Sequence, residues 1–196
     1  MIRIILAVAI VLAIFGFFSK KPTIAYVNVS VGTITREAPP GISKAWFVSM
    51  KEKLPDVLRD YGDTIERESR ESGYSPKRIA GHLMAESLGD PDAVNPKDVD
   101  PDRQAKGCMQ TKRAAEIDTG MVGYNTSDCN VSITIGTKYL AVIRDRYGVT
   151  DPSLASIAYR FGHGNARHCT VKEARDTEYL LKIEAVMREI PPDTFL

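Results

Sequence analysis

The chain predicts an all-α domain carried on an N-terminal membrane anchor. Three observations predict it. Apolar residues recur at steps of three and four along most of residues 43–190, start and stop signals for helices bracket those stretches, and an unbroken apolar run from Ile4 to Phe18 stands before them. No pair of segments alternates in the two-residue period of a strand, and no internal repeat occurs.

The apolar run is flanked by Arg3 on one side and Ser19-Lys20-Lys21 on the other. It is short for a spanning helix, which needs about 17–25 residues, but Ile2 and tilting or thinning of the bilayer help. Residues 1–21 therefore read as a single-pass anchor. A cleavable signal peptide is the rival reading, and a buried core helix a third. Phe17, Phe18, Ser19 and Lys20 offer no small-x-small cleavage site, and no cysteine follows to carry a lipid. Positive charge is nearly equal on the two flanks, so charge alone does not orient the segment.

Residues 22–42 read as a linker that ends in Ala38-Pro39-Pro40-Gly41, a stretch no regular element tolerates. The folded domain spans 43–196. In its first helix Leu54, Leu58, Tyr61 and Ile65 share a face, Pro55 suits the first turn, and Gly73 marks the end. Ser75-Pro76 caps a second helix that runs to about Leu88, before Gly89, Asp90 and Pro91. Residues 89–106 are rich in Pro and Asp and read as a solvated loop. A third helix is expected from Thr111 to Asp118. The fourth carries Ile133, Gly136, Leu140, Ile143 and Tyr147 on one face and stops at Gly148. A fifth runs from Pro152 to Phe161 before Gly162-His163-Gly164, and the last carries Tyr179, Ile183, Val186 and Ile190 before Pro191-Pro192.

Composition narrows the function. Hydrophobic residues make up 43% and charged residues 26%, the balance of a folded globular chain, with a formal net charge of +1. Nucleic-acid binding calls for a strong basic excess, so that class is excluded. The three histidines, His82, His163 and His168, match no zinc spacing, and no cofactor or metal is implied.

One residue breaks the helical pattern. Ile79, Leu83 and Glu86 share a face at i, i+4 and i+7, which puts a carboxylate at a core-facing position near a helix end. Burying such a charge is costly unless it is paired. A local Glu86–His82 pair at i, i+4 is one explanation. The other is a carboxylic acid whose pKa is raised by apolar surroundings, suited to protonating the leaving oxygen of a glycosidic bond.

Four segments in order support the second explanation: Glu86-Ser87, then Gly107-Cys108-Met109-Gln110, then Asn130-Val131 with Gly136 and Tyr139-Leu140, then Ala158-Tyr159 with Gly162. Over residues 70–190 the chain resembles the soluble lytic transglycosylase family. That family's hallmarks are a Glu-Ser pair, a Gly-Leu-Met-Gln turn, an Asn-Ile-x-x-Gly helix and an Ala-Tyr-Asn-x-Gly segment. The resemblance implies a lysozyme-like fold with a cleft for the glycan strand of peptidoglycan and cleavage of the MurNAc–GlcNAc bond to 1,6-anhydro ends. It implies Glu86 as the catalytic acid, Ser87 and Gln110 as substrate contacts, and Tyr159 as a cleft residue that helps hold Glu86. The domain would then face the periplasm or cell exterior from the inner membrane. A secretion or other cell-envelope machine is a candidate partner, and no residue selects one.

The departures from the family are informative. Cys108 stands where Leu is usual, a small-hydrophobe exchange. Arg160 stands where the family has Asn, and a guanidinium is no substitute for an amide. Arg160 either pairs with Glu86 and lowers its pKa, or turns outward to substrate carboxylates. Two rivals follow. One is a goose-type lysozyme, a hydrolase using a second carboxylate from Asp90, Asp92, Asp98, Asp100 or Asp102. The other is an inactive, anchored wall-binding scaffold. Of the three cysteines, Cys129 and Cys169 lie outside the motifs at loop ends, and a Cys129–Cys169 disulfide is expected, with three free thiols as the alternative.

Overall fold

A computed structural model describes residues 37–95, 100 and 104–195. Within them every regular element is a helix, in keeping with the all-α expectation. No helix among the described residues is long and apolar enough to cross a membrane. The expected anchor at residues 1–21 lies outside the described residues.

Helix α1 runs from Lys44 to Ser72 and is capped by the Ser43 hydroxyl, which accepts from the Trp46 N–H. Its buried stripe runs through Phe47, Met50, Leu54 and Val57 and, past the partly buried Tyr61, through Ile65 and Glu68, in steps of three and four. The helix therefore starts well before the position that Pro55 suggested. Proline inside a helix costs about 3 kcal/mol, and here it is carried by the apolar stripe on either side. Gly73 ends the helix in a left-handed conformation, φ 76°.

Helix α2, Pro76–Ser87, begins at the Ser75 cap and proline as expected. It is the central element. Ile79, Ala80, Gly81, His82, Leu83 and Met84 are buried in succession, so it is covered all round rather than on one stripe. Helices α3 (Arg113–Thr119) and α4 (Cys129–Asp145) follow. Next come α5 (Pro152–Phe161), the short α6 (His163–Ala166) and α7 (Val171–Arg175), and finally α8 (Glu178–Glu189). The Gly162-His163-Gly164 segment thus ends α5 but starts α6 at once, and the Thr170–Glu173 capping box opens α7, which the apolar pattern did not foreshadow.

Two packed clusters meet at α2. One joins α1, α2, α4 and α8 through Met50, Leu54, Ile65, Ile79, Leu83, Ile133, Leu140 and Val186. The other joins α4, α5 and α8 through Ile143, Ala155, Ile157, Leu180 and Ile183. Glycine sets the closest approach. A Cβ at Gly81 would stand 2.8 Å from Ile183 Cγ2 and 3.1 Å from its carbonyl oxygen. This absence of a side chain lets α8 lie against α2 and brings the first turn of α8 beside the last turn of α2.

Polar ties lock α1 to α4. Thr64 donates to Asn130 Oδ1 at 2.6 Å, and Thr134 donates to the buried Glu68 at 2.8 Å. Asn130, one of the motif residues, is thereby used in helix packing.

The expected Cys129–Cys169 disulfide is corrected. The bridge joins Cys108 to Cys129, with Cα atoms 5.4 Å apart, and Cys169 is a free thiol. Both bridged residues are buried, because the 107–110 turn sits directly on the N-terminal end of α4. The bridge ties that turn to the first residue of the helix, a pairing that motif membership concealed.

Candidate active site around Glu86

The last turn of α2 delivers Glu86 to a junction of three elements: the 107–110 turn, the end of α5 and the start of α8. Its side chain is only 2% exposed. Oε1 accepts a hydrogen bond from the Tyr179 hydroxyl at 2.7 Å, and Oε2 accepts from Arg160 Nη1 at 2.8 Å. Burial raises the carboxyl above its ordinary range. The Arg160 charge, hydrogen bonds from Tyr179 and Arg160, and the Lys112 charge pull the other way. The raised direction prevails because Arg160 is itself 45% exposed and partly screened by water.

Of the two alternatives for Arg160, the structure takes the pairing with Glu86. The alternative, a direct Glu86–His82 pair, does not form: the two side chains are linked through the Tyr179 hydroxyl. His82 is wholly buried, and its Nδ1 lies 3.0 Å from the Tyr179 hydroxyl. Tyr179 gives its proton to Glu86, so it accepts from Nδ1–H, and Nε2 lies 3.0 Å from the Ser156 hydroxyl, whose one proton is shared between Nε2 and the Pro152 carbonyl at 2.9 Å. Arg78 donates to Ser156 Oγ at 3.2 Å from the outer end. Burial, with a smaller push from Arg78, lowers the His82 pKa to about 3, so the ring is neutral at physiological pH. A continuous chain, Arg78–Ser156–His82–Tyr179–Glu86, therefore supports the carboxyl from behind.

The motif turn is held as firmly. Gly107 has φ 71°, and a Cβ there would collide with the Thr126 carbonyl oxygen, so only glycine fits. Gln110 follows with φ 47°, and its Nε2 donates to the carbonyls of Ala93 at 2.7 Å and Gly107 at 3.0 Å. Both amide protons are thus used, and Oε1 is the atom left to receive a donor from a ligand. Ser87 donates to the Cys108 carbonyl at 2.7 Å and accepts from the Asp90 N–H at 3.1 Å, which fastens the turn to α2.

Tyr159 lies in this cluster, but its hydroxyl donates to the Met109 carbonyl at 2.7 Å, and its ring meets the edge of His82 at 5.2 Å. Gly136 makes room for it: a Cβ there would stand 2.8 Å from the Tyr159 hydroxyl and 2.7 Å from Met109 Cε. The hydroxyl that holds Glu86 is that of Tyr179, which sequence reasoning placed only in the stripe of the last helix. The available signal was its polar tip among the aliphatic residues Ile183, Val186 and Ile190. Phe161 was also missed. It is 51% exposed and packs edge-on against Tyr179 at 6.4 Å, an apolar surface beside the carboxyl.

The described aspartates of the 89–106 loop, Asp90, Asp92 and Asp100, are exposed. Asp90 Oδ1 accepts from the Asp92 N–H at 3.0 Å. Asp98 and Asp102 lie outside the described residues. Among the described residues, none of the groups acting on the ionisation of Glu86 is a second carboxylate.

No curated protein matches the chain in comparison. The family model for the transglycosylase SLT domain matches residues 63–181, spanning Glu86, the 107–110 turn, Tyr159, Arg160 and Tyr179. The chain belongs to this lysozyme-like family, of lytic transglycosylase type and acting on peptidoglycan.

Proposed function

We propose that the chain cleaves the MurNAc–GlcNAc bond of peptidoglycan without water and leaves 1,6-anhydro-MurNAc ends. The observation that carries this reading is the buried carboxyl of Glu86, raised by burial and oriented on both oxygens. An acid whose pKa is raised holds its proton to higher pH than an ordinary carboxyl and can deliver it to the leaving oxygen.

In the first step Glu86 protonates the glycosidic oxygen, the C1–O bond breaks, and GlcNAc leaves with a free 4-hydroxyl. The substrate's acetamido oxygen stabilises the cation at C1. In the second step the Glu86 carboxylate takes the proton of the muramoyl 6-hydroxyl as O6 bonds to C1. The acid is restored and no water is consumed. One carboxyl suffices for both transfers, whereas hydrolysis by two carboxyl groups needs a second one across the bond. Ser87, Gln110, Tyr159 and Arg160 form the surrounding substrate cleft, with Gln110 Oε1 available to a sugar N–H or hydroxyl.

The same reading places the domain outside the cytoplasm, in the periplasm or beyond, tethered by residues 1–21. The Cys108–Cys129 bridge supports an oxidising compartment. The Arg160–Glu86 ion pair favours one second reading, an anchored scaffold that binds wall glycan without cleaving it.

Mass spectrometry of peptidoglycan digested with the full chain in detergent, beside Glu86→Gln, decides among these. Products lighter by about one water than hydrolysed muropeptides, and absent with the variant, are expected from the elimination above. Ordinary reducing ends would make the protein a hydrolase, and intact strands that still bind would make it a scaffold.

A further inference from the structure

We infer that Arg160 is a specificity residue that reads a carboxylate on the muramoyl unit: it holds Glu86 in the free protein and transfers to that carboxylate as the glycan docks. The inference rests on the function proposed above and adds the chemical class of glycan that the site accepts.

The ion pair is unequal. Glu86 is 2% exposed and Arg160 is 45% exposed, so only the guanidinium can reach a ligand arriving from solvent. A guanidinium has five N–H donors, and one of them, on Nη1, makes the 2.8 Å bond to Glu86. Arg160 stands at the end of α5, with its guanidinium carbon 5.8 Å from the centre of the Tyr179 ring. When it turns away, Tyr179 still donates to Oε1, so Glu86 keeps its position.

Charge favours the exchange. Arg160 pairs with Glu86, and once Glu86 carries the proton it needs for acid catalysis, the guanidinium is no longer balanced by that carboxylate. The groups facing Glu86 are Arg160 and Tyr159 from α5, Tyr179 from α8, Lys112 before α3, and His82 behind Tyr179, which is neutral. Tyr159 and Tyr179 have their pKa values raised, by burial first and then by Glu86, so neither supplies an anion near neutral pH. A substrate carboxylate fills that role. Arg–carboxylate recognition is planar and bidentate, which gives it geometric selectivity. A neutral glycan leaves Arg160 on Glu86, where its charge works against the protonation that acid catalysis needs.

Such a carboxylate has two sources, the lactyl group of peptide-free strands and the stem peptide of intact ones. The test uses the full chain in detergent and its Arg160→Asn and Arg160→Lys variants on three glycans: peptide-free strands, the same strands with lactyl carboxylates converted to methylamides, and strands bearing stem peptides. Cleavage rates and dissociation constants are both measured. Wild type is expected to favour a carboxylate-bearing strand over the methylamide by about tenfold or more, the size of one charge-assisted hydrogen bond. Arg160→Asn is expected to bring that ratio to parity, and Arg160→Lys to restore part of it.

Preference for peptide-free strands assigns the lactyl carboxylate, and preference for intact strands assigns the peptide. Equal treatment of all three glycans by wild type, or an unchanged ratio in Arg160→Asn, overturns the inference. If no glycan is cleaved, the proposed activity fails by itself. The binding ratios then decide separately whether Arg160 reads carboxylates.

Discussion

His82 and Glu86 stand one turn apart on α2, and the hydroxyl of Tyr179 joins them. It lies 3.0 Å from His82 Nδ1 and 2.7 Å from Glu86 Oε1. A neighbouring pair that an isolated helix would link directly is thus linked through a residue of α8. Burial, with a smaller push from Arg78, keeps that imidazole neutral, so no charge on it opposes the rise that burial gives the acid's pKa.

Glu86→Gln is expected to remove about 10²–10⁴-fold of the cleavage rate, the usual contribution of a positioned acid–base group. Its effect on stability has the opposite sign. A carboxyl whose folded pKa lies above its unfolded value binds more protons when folded, so its contribution weakens as pH rises through the folded value. Melting temperatures should therefore show Glu86→Gln gaining on wild type at neutral pH and losing that advantage on acidification. A variant that is inactive and also less stable at pH 7 would count against a raised Glu86 pKa.

Arg160→Asn removes the strongest influence that lowers the Glu86 pKa. The acid form then persists to higher pH. The alkaline limb of the kcat/KM profile on wall glycan should move upward, and an unmoved limb would mean that Arg160 does not act on the catalytic proton.

Tyr179→Phe also removes a lowering influence on Glu86 and should shift the same limb upward while kcat falls. It leaves the buried His82 Nδ1–H without its acceptor, which costs about 1–3 kcal/mol. Chemical denaturation and the pH profile together check both effects. Loss of stability with an unchanged profile would make Tyr179 a packing residue only.

His82 makes folding sensitive to acid. Its folded pKa of about 3 lies below its unfolded value near 6.5, so between these two the unfolded chain binds the extra proton. Stability should fall by about 1.4 kcal/mol per pH unit below 6.5 from this group alone. His82→Gln should flatten that slope in melts between pH 4 and pH 7, and a slope equal to wild type would exclude a neutral buried His82.

The Cys108–Cys129 bridge closes a loop across a sequence separation of 21. Loop-closure entropy for that length makes it worth about 3 kcal/mol. Denaturant melts of Cys129→Ser should show a loss of that order that added reductant does not increase. Cys169→Ser should leave stability unchanged, and reductant should then destabilise it as it does wild type.

The sequence by itself determined what depends on local chemistry. Ser75-Pro76 and Asp151-Pro152 start their helices because a side-chain cap and a preset proline φ act within one turn. Gly73 ends α1 because the left-handed conformation favours it. The stripe of Ile79 and Leu83 put Glu86 in a buried position before any partner was known, and the motif order named the family. Tertiary structure decided everything that depends on which distant residues meet. Tyr179 lies 93 positions from Glu86, and its hydroxyl arrives only because Gly81 lets α8 close on α2. Arg160 had two possible partners, and it pairs with the buried carboxyl of Glu86. Three cysteines allow three pairings, and the seat of the 107–110 turn on α4 selects Cys108 with Cys129. Local propensity acts over a turn or two, whereas these contacts arise from packing across the whole domain, so no periodicity or spacing encodes them.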